Sequence, residues 1–165
     1  MLKDFVVYNL ESCISSNPDI DCRGGRTSPD NQSPDTERLR YNAVVSEADL
    51  RQSFLPAFVA GIREGQARSA MTSYHGLNGI PQTAHPIIEH ELRGNLGWQG
   101  LMMSDGGAVS DIVNFQYLQL AMTNNYTAAA AAALNAGVDL NSGTYATMHF
   151  DFAAVGLVLR REALE

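Results

Sequence analysis

An aspartate at the end of a short apolar stretch is the residue of this chain with the clearest chemical potential. Residues 100–107 read Gly-Leu-Met-Met-Ser-Asp-Gly-Gly, so Asp105 follows a predicted strand and precedes two glycines. Strands buried on both faces are continuous apolar runs, and glycines after them permit a tight turn and close approach of a ligand. The octapeptide predicts a carboxylate at the mouth of a site, although it also fits a strand followed by an ordinary Asp-Gly turn.

Further polar side chains fall in or next to other predicted strands. They are Lys3, Asp4, Tyr74, His75 and Asp139. Ligands of parallel α/β proteins bind at the carboxyl ends of the strands. A carboxylate, an ammonium and a phenol on one rim predict a site for a polyhydroxyl ligand, and a carboxylate can attack the anomeric carbon of a sugar. For each residue a simpler role is also open: Lys3 as a solvated lysine, Tyr74 as a cap on the core, the histidine as a loop residue and Asp139 as a structural hydrogen-bond partner.

The rest of the chain predicts the elements that must position these residues. Apolar runs predict strands at 2–8, 68–74, 101–104 and 137–140. Helical spacing of apolar residues predicts helices at about 46–65, 87–96 and 127–135. Ser46 is the predicted N-cap of the first helix, with Asp49 three residues later. Strands that alternate with helices favour a parallel sheet with covering helices, a pattern common to barrels and doubly wound sheets.

Composition excludes several classes of protein. The chain has 165 residues, is 45% hydrophobic and 18% charged, and therefore predicts a globular domain. Its formal net charge of -7 argues against a nucleic-acid or anionic-membrane partner. No apolar run approaches the roughly 20 residues that span a bilayer, and no signal peptide is visible at the N-terminus. Two cysteines and four scattered histidines predict no metal site, and we expect no cofactor.

A long polar stretch at 11–38 contributes little to the predicted core. It is rich in Ser, Pro, Asp and Gly, and a loop of this length is either functional or mobile. Both cysteines, Cys13 and Cys22, lie in it. They form a local disulfide if the protein is exported and remain free thiols if it stays in the cytoplasm, and the sequence leaves both possibilities open.

Seven segments recur in the order and spacing of a known enzyme family. They are 2–11, 40–50, 54–58, 71–81, 92–100, 104–109 and 136–140. Together they resemble the barrel domain of glycoside hydrolase family 3, the β-glucosidases and β-xylosidases, over roughly residues 2–143. The resemblance implies an α/β fold of the TIM-barrel type and a retaining β-glycosidase that acts on terminal non-reducing β-glucosides, with glucose versus xylose left open.

The resemblance also implies roles for individual residues. Asp105 matches the catalytic nucleophile of the family, Lys3 and Tyr74 match positions that contact the sugar, and Met71 matches a position that lines the same pocket. Asp4 replaces a family histidine and is our preferred second carboxylate, the catalytic acid. Other acidic residues remain candidates for that role: Glu11, Asp19 and Asp21. Arg93 and Trp98 match a segment with expected structural roles.

The extent of the resemblance predicts half of a barrel. A whole barrel of this type needs about 250 residues, so residues 1–143 correspond to its second half, with the polar loop 11–38 inserted and 144–165 divergent. Half a barrel leaves sheet edges and an apolar face uncovered, and we therefore expect a homodimer or higher homo-oligomer. The alternatives to an active enzyme are an inactive sugar-binding remnant and a truncated fragment that self-associates.

Overall fold

The structure, a computed structural model, describes residues 1–9, 41–114 and 126–142. Its strands are β1 (Leu2–Phe5), β2 (Asn42–Ala43), β3 (Ser69–Thr72), β4 (Gly76–Leu77), β5 (Ile80–Pro81) and β6 (Leu101–Met103). Its α-helices are α1 (Glu47–Asp49), α2 (Leu55–Arg63), α3 (Ala108–Asn114) and α4 (Tyr126–Asn135). Two π-helical segments, Leu50–Phe54 and Ile88–Asn95, and a 3-10 turn, Gln82–Ala84, complete the helical elements of the described residues.

The main sheet is parallel, with strand order β1-β3-β6. Ala70 lies opposite Leu2 on one side and Met102 on the other, which fixes the register of all three strands. Helices connect these strands, so the prediction of a parallel α/β fold is confirmed. The four-stranded sheet that we predicted is smaller than expected, because the predicted strand at 137–140 is reduced to a single parallel bridge between Met103 and Leu140.

The side chain of Asp139 explains why the fourth strand is so short. Its carboxylate accepts a hydrogen bond from the Met102 N–H at 2.7 Å. In a regular parallel ladder, a backbone carbonyl of the neighbouring strand would accept this bond. Backbone pairing resumes two residues further along the chain from Met102, where the Ser104 N–H donates to the Leu140 carbonyl at 2.8 Å. These hydrogen bonds hold the segment after α4 alongside the end of β6.

A second, smaller sheet has the order β2-β4-β5. Strand β2 is parallel to β4, and β4 and β5 form an antiparallel hairpin. The two residues between them, Asn78 and Gly79, have φ angles of 47° and 88°, as a two-residue hairpin turn requires. The sequence analysis predicts no strand at 42–43, 76–77 or 80–81, so this sheet is a finding of the structure.

The first helical stretch runs from α1 through the π-helical segment Leu50–Phe54 to the end of α2, and it covers the edge strand β1. Its start confirms the predicted cap, because Asp49 N–H donates to Ser46 Oγ at 3.0 Å and Ser46 Oγ–H donates to the Asp49 carboxylate at 2.7 Å. In α2 the Phe58 ring packs edge-on against Phe5, with 5.0 Å between ring centroids. The apolar face of this stretch therefore buries one face of β1.

The two faces of the main sheet differ in burial. Ala70, Thr72 and Met102 are at most 1% exposed, since helices cover their face. Side chains alternate between faces along a strand, so Met71 and Met103, which lie opposite each other, belong to the other face. Leu101 and Leu140, at 43% and 46% exposed, extend this second face. A strip of apolar residues is thus left without a covering layer among the described residues.

Several predictions concern residues outside the described ranges. These are the polar loop 11–38 with Glu11, Cys13, Asp19, Asp21 and Cys22, and the segment 144–165. The domain boundary at residue 143 stays a prediction. Among residues 1–9, 41–114 and 126–142, no helix combines the length and the apolar character needed to cross a membrane.

Candidate functional site

Asp105 lies in the turn between β6 and α3. Its Oδ1 accepts the Gly106 N–H at 2.6 Å, and its carbonyl accepts the Ala108 N–H at 3.1 Å. Gly107 has a φ of 82°, a conformation that favours glycine and turns the chain from strand to helix. The carboxylate is therefore held at the carboxyl edge of the sheet, partly exposed, as the sequence of this turn predicted.

Tyr74 approaches the same turn from the neighbouring strand. Its hydroxyl donates a hydrogen bond to the Gly106 carbonyl, with 3.1 Å between the two oxygens. Gly106 thus contacts Asp105 through its N–H and Tyr74 through its carbonyl. The structure brings the phenol and the carboxylate to one edge of the sheet, while the roles of both residues stay predictions.

Lys3 and Asp4 lie on β1, on the far side of β3 from Asp105. Their side chains approach each other, with 3.9 Å between Lys3 Nζ and Asp4 Oδ1, and they are 55% and 13% exposed. Strands β1 and β6 are both neighbours of β3, so their backbones are roughly 10 Å apart at two strand spacings. Lys3 and Asp4 therefore lie two strands across the sheet from the turn that carries Asp105.

Met71 occupies the middle of this edge of the sheet. It lies in β3, directly opposite Met103 of β6, and is half-buried. Lys3 lies in the neighbouring strand β1, where the register with β3 shifts between Leu2 and Phe5, so alternation from Leu2 assigns no face to its side chain.

A buried polar layer lies behind Tyr74, and the sequence did not reveal it. Its members are at most 1% exposed: Thr72, Ser73, His75, Gln82 and Thr83. Ser73 Oγ is 2.9 Å from His75 Nδ1, and Ser73 N–H donates to Gln82 Oε1 at 3.0 Å. We predicted His75 as a surface or loop residue. It does lie in the loop between β3 and β4, but it is not at the surface, because it is 0% exposed. Burial lowers the pKa of His75 to about 4, so the ring is neutral near pH 7.

Arg93 stabilises the amino edge of the sheet, opposite the edge that carries Asp105. It donates to the Trp98 and Gly100 carbonyls at 3.1 and 2.5 Å and to the Asp139 carboxylate at 2.6 Å. Its guanidinium lies over the Trp98 ring, 5.0 Å from the centroid, and the Trp98 indole N–H donates to the Ala67 carbonyl at 2.8 Å. These contacts confirm the structural roles predicted for Arg93, Trp98 and Asp139.

Two open cavities lie away from Asp105. One, of about 530 Å³, is lined by Arg93, Gln99 and Asp139 among others. The second, of about 450 Å³, lies between the first helical stretch and the π-helical segment Ile88–Asn95, where Arg51 pairs with Glu91 at 2.7 Å. No group of three His, Cys, Asp or Glu side chains within the described residues is arranged to hold a metal ion.

Fold and site together define a class of protein. The sheet is parallel, helices cover one face, and its carboxyl edge presents Asp105 and Tyr74. That edge is where parallel α/β enzymes bind their ligands. The arrangement is that of an α/β enzyme domain with a carboxylate at the carboxyl edge of its parallel sheet.

Comparison with known proteins identifies the family. Residues 35–148 match the Glycosyl hydrolase family 3 N terminal domain, and the chain belongs to that family of glycoside hydrolases. Among curated proteins, the probable beta-D-xylosidase 6 of Arabidopsis thaliana is 38% identical over 112 residues, which are 68% of this chain and 14% of the relative.

Solved structures agree with the sequence match. The β-glucosidase of Listeria innocua in complex with glucose aligns with a TM-score of 0.62 and 30% identity, over 74% of this chain and 16% of that one. The exo-β-xylosidase XlnD, bound to a xylobiose aziridine probe, aligns with a TM-score of 0.64 and 27% identity, over 72% and 15% of the two chains. The chain thus spans about a seventh of the length of these relatives.

Proposed function

We propose that the protein is a retaining β-glycosidase in which Asp105 is the nucleophile. The observation that carries the proposal is the position of Asp105 at the carboxyl edge of a parallel sheet in a family 3 domain, beside Tyr74. Lys3 and Tyr74 contact the hydroxyls of the non-reducing sugar, and Met71 lines the pocket beneath it.

The chemistry proceeds in two steps. Asp105 carries a hydrogen bond to Oδ1 from the Gly106 N–H, so Oδ2 is the oxygen that attacks. Oδ2 bonds to the anomeric carbon while the bond from that carbon to the aglycone oxygen breaks, and the electron pair leaves with that oxygen. Water then attacks the same carbon from the other face and gives up one proton, which Asp4 accepts, while the bond from the carbon to Oδ2 breaks. The Asp105 carboxylate is released, and the sugar keeps its β configuration.

The substrate is a terminal β-glucoside or β-xyloside. We predicted a glucoside from the sequence, whereas the curated relatives with 37–38% identity include two named as β-D-xylosidases. The distinction depends on whether the pocket accepts one hydroxymethyl group.

Aryl glycosides test the function directly. We expect the protein to release nitrophenol from an aryl β-glucoside or β-xyloside, and not from the α-anomers. Nitrophenolate leaves without a proton, so the assay does not depend on which residue is the acid. Isofagomine, bound by the Listeria innocua β-glucosidase in a solved complex, serves as a binding probe. Binding without release of nitrophenol would identify an inactive sugar-binding protein, and the absence of both would contradict the proposal.

Asp4 is proposed as the acid that protonates the leaving group. Its carboxylate is 13% exposed and lies 3.9 Å from Lys3 Nζ. Replacing Asp4 with asparagine should slow hydrolysis of an alkyl β-glycoside or a disaccharide by about 10²-fold or more, since general acid catalysis contributes 10²–10⁴-fold. Hydrolysis of the dinitrophenyl glycoside should change less than threefold, because that group needs no acid.

Comparing leaving groups separates this role from simple damage to the site. A variant that merely distorts the pocket slows both substrates equally, and that result would remove Asp4 from the mechanism. The acidic residues of the loop 11–38, Glu11, Asp19 and Asp21, would then be tested in the same way.

Self-association is proposed for the 165-residue chain. The apolar strip that contains Leu101 and Leu140 lacks a covering layer among the described residues, and exposed apolar strips and sheet edges promote pairing with another chain. A homodimer that approximates a closed barrel would cover both. We expect sedimentation at micromolar concentration to give twice the 17.9 kDa chain mass, and Leu101→Asp to shift it toward monomer. A monomeric wild type would rule this assembly out.

A further inference from the structure

His75 lies where three segments of the chain meet behind the candidate site. Its ring is tilted against Tyr8, with 5.4 Å between centroids, and stacked on Tyr41 at 6.0 Å. Tyr8 follows β1, Tyr41 precedes β2, and His75 itself links β3 to β4. The ring is 0% exposed, so each of these contacts is shielded from water.

Hydrogen bonds extend the junction to the backbone of β1. Ser73 Oγ contacts His75 Nδ1 at 2.9 Å and also lies within 3.4 Å of the Phe5 carbonyl. The backbone N–H of Gln82 donates to the His75 carbonyl at 2.9 Å. His75 is therefore connected on one side to the segment that carries Lys3 and Asp4, and on the other to its own neighbour Tyr74.

The hydrogen bond between Ser73 Oγ and His75 Nδ1 exists in either tautomer of the neutral ring. With the proton on Nε2, Ser73 Oγ–H donates to Nδ1; with the proton on Nδ1, Nδ1–H donates to Ser73 Oγ, whose own proton is then directed to the Gln82 side chain at 3.3 Å or to Phe5. The ring also interacts with the backbone of Val6, the residue that follows β1. Both arrangements connect His75 to the end of β1.

We infer that His75 is a positioning residue of the sugar site, which sets the end of β1, with Lys3 and Asp4, against Tyr74. It touches no substrate, since it is fully buried. Its effect passes through Tyr8 and Ser73 to β1 and through the backbone to Tyr74. The inference rests on the proposed function insofar as Lys3 and Tyr74 bind the sugar.

A pair of variants tests this role. His75→Phe keeps an aromatic ring between Tyr8 and Tyr41 but removes the hydrogen bond between Nδ1 and Ser73 Oγ, and Ser73→Ala removes the same hydrogen bond from the other side. We expect each to weaken binding of isofagomine at least tenfold in calorimetry, with binding stoichiometry unchanged, and to raise KM for the aryl glycoside while kcat changes less than threefold. His90→Gln, which replaces a histidine whose side chain is 73% exposed, should behave as the wild type.

Stoichiometry separates positioning from stability. A residue that only stabilises the fold lowers the number of binding sites per chain and leaves Kd unchanged, and that pattern would overturn the inference. Ser73→Ala decides the matter if His75→Phe fails to fold. A wild type that binds no isofagomine would also overturn it. Weakened binding in the variants of a protein without turnover would support the positioning role and contradict the proposed hydrolysis alone.

Discussion

Replacing Asp105 with asparagine should lower the release of nitrophenol from aryl β-glycosides by at least about a thousandfold. Asparagine keeps the size of the side chain and its hydrogen bond from Gly106 but cannot form the bond to the anomeric carbon. Losing a nucleophile commonly costs three or more orders of magnitude in kcat. Steady-state rates of both proteins on the same substrate measure the effect, and isofagomine binding shows whether the site is intact.

Two controls identify the cause of that loss. Asp49→Asn makes the same chemical change at an exposed position of the first helix and should retain wild-type rates. Asp105→Ala opens space for a small anion, so azide should restore turnover and yield the glycosyl azide of α configuration. Azide rescue that gives only the β product, or an Asp105→Asn variant within tenfold of the wild type, would assign the nucleophile elsewhere.

The protein should lose about 2 kcal/mol of stability between pH 7 and pH 5 because of His75. Burial lowers the pKa of this ring to about 4 in the folded state, from an unfolded value of 6.5, despite an opposing interaction with the Val6 backbone. The unfolded chain therefore binds the proton first as the pH falls. The contribution of His75 is fully present above pH 6.5 and is lost progressively as the pH falls toward 4.

Urea unfolding at several pH values measures this loss. In His75→Phe the loss in free energy of unfolding between pH 7 and pH 5 should be smaller by about 2 kcal/mol. His90→Gln should show the same loss as the wild type. His85, whose pKa is also lowered by burial, adds to the dependence in both proteins. Burial alone would raise the pKa of Glu91, but hydrogen bonds from Arg51 and Asn95 lower it, so this carboxylate titrates below the pH range used. An unchanged slope in His75→Phe would show that the ring is not buried in solution.

Local signals in the sequence predicted the turns and caps well. Ser46 with Asp49, and Asp105 followed by glycines, specify their conformations through neighbouring residues alone. The Asn78-Gly79 hairpin carries an equally local signal, but the sequence analysis predicted no hairpin there. The parallel sheet followed from alternation of strand and helix, since that pattern has few other solutions.

Features that depend on contacts between distant residues could not be predicted. The burial of His75 follows from Tyr8 and Tyr41, which lie 67 and 34 residues earlier in the chain. The short fourth strand follows from the Asp139 carboxylate, which takes a donor of β6. Hydropathy assigns each of these side chains to the surface, because it does not register partners that only the fold supplies.

The hydrogen bond from Tyr74 to Gly106 also bears on how this edge of the sheet can change in evolution. It joins two turns that are 32 residues apart in the chain, and both turns begin at the ends of paired strands. An insertion in either turn moves one partner away from the other, so this hydrogen bond requires the two turns to keep matched lengths.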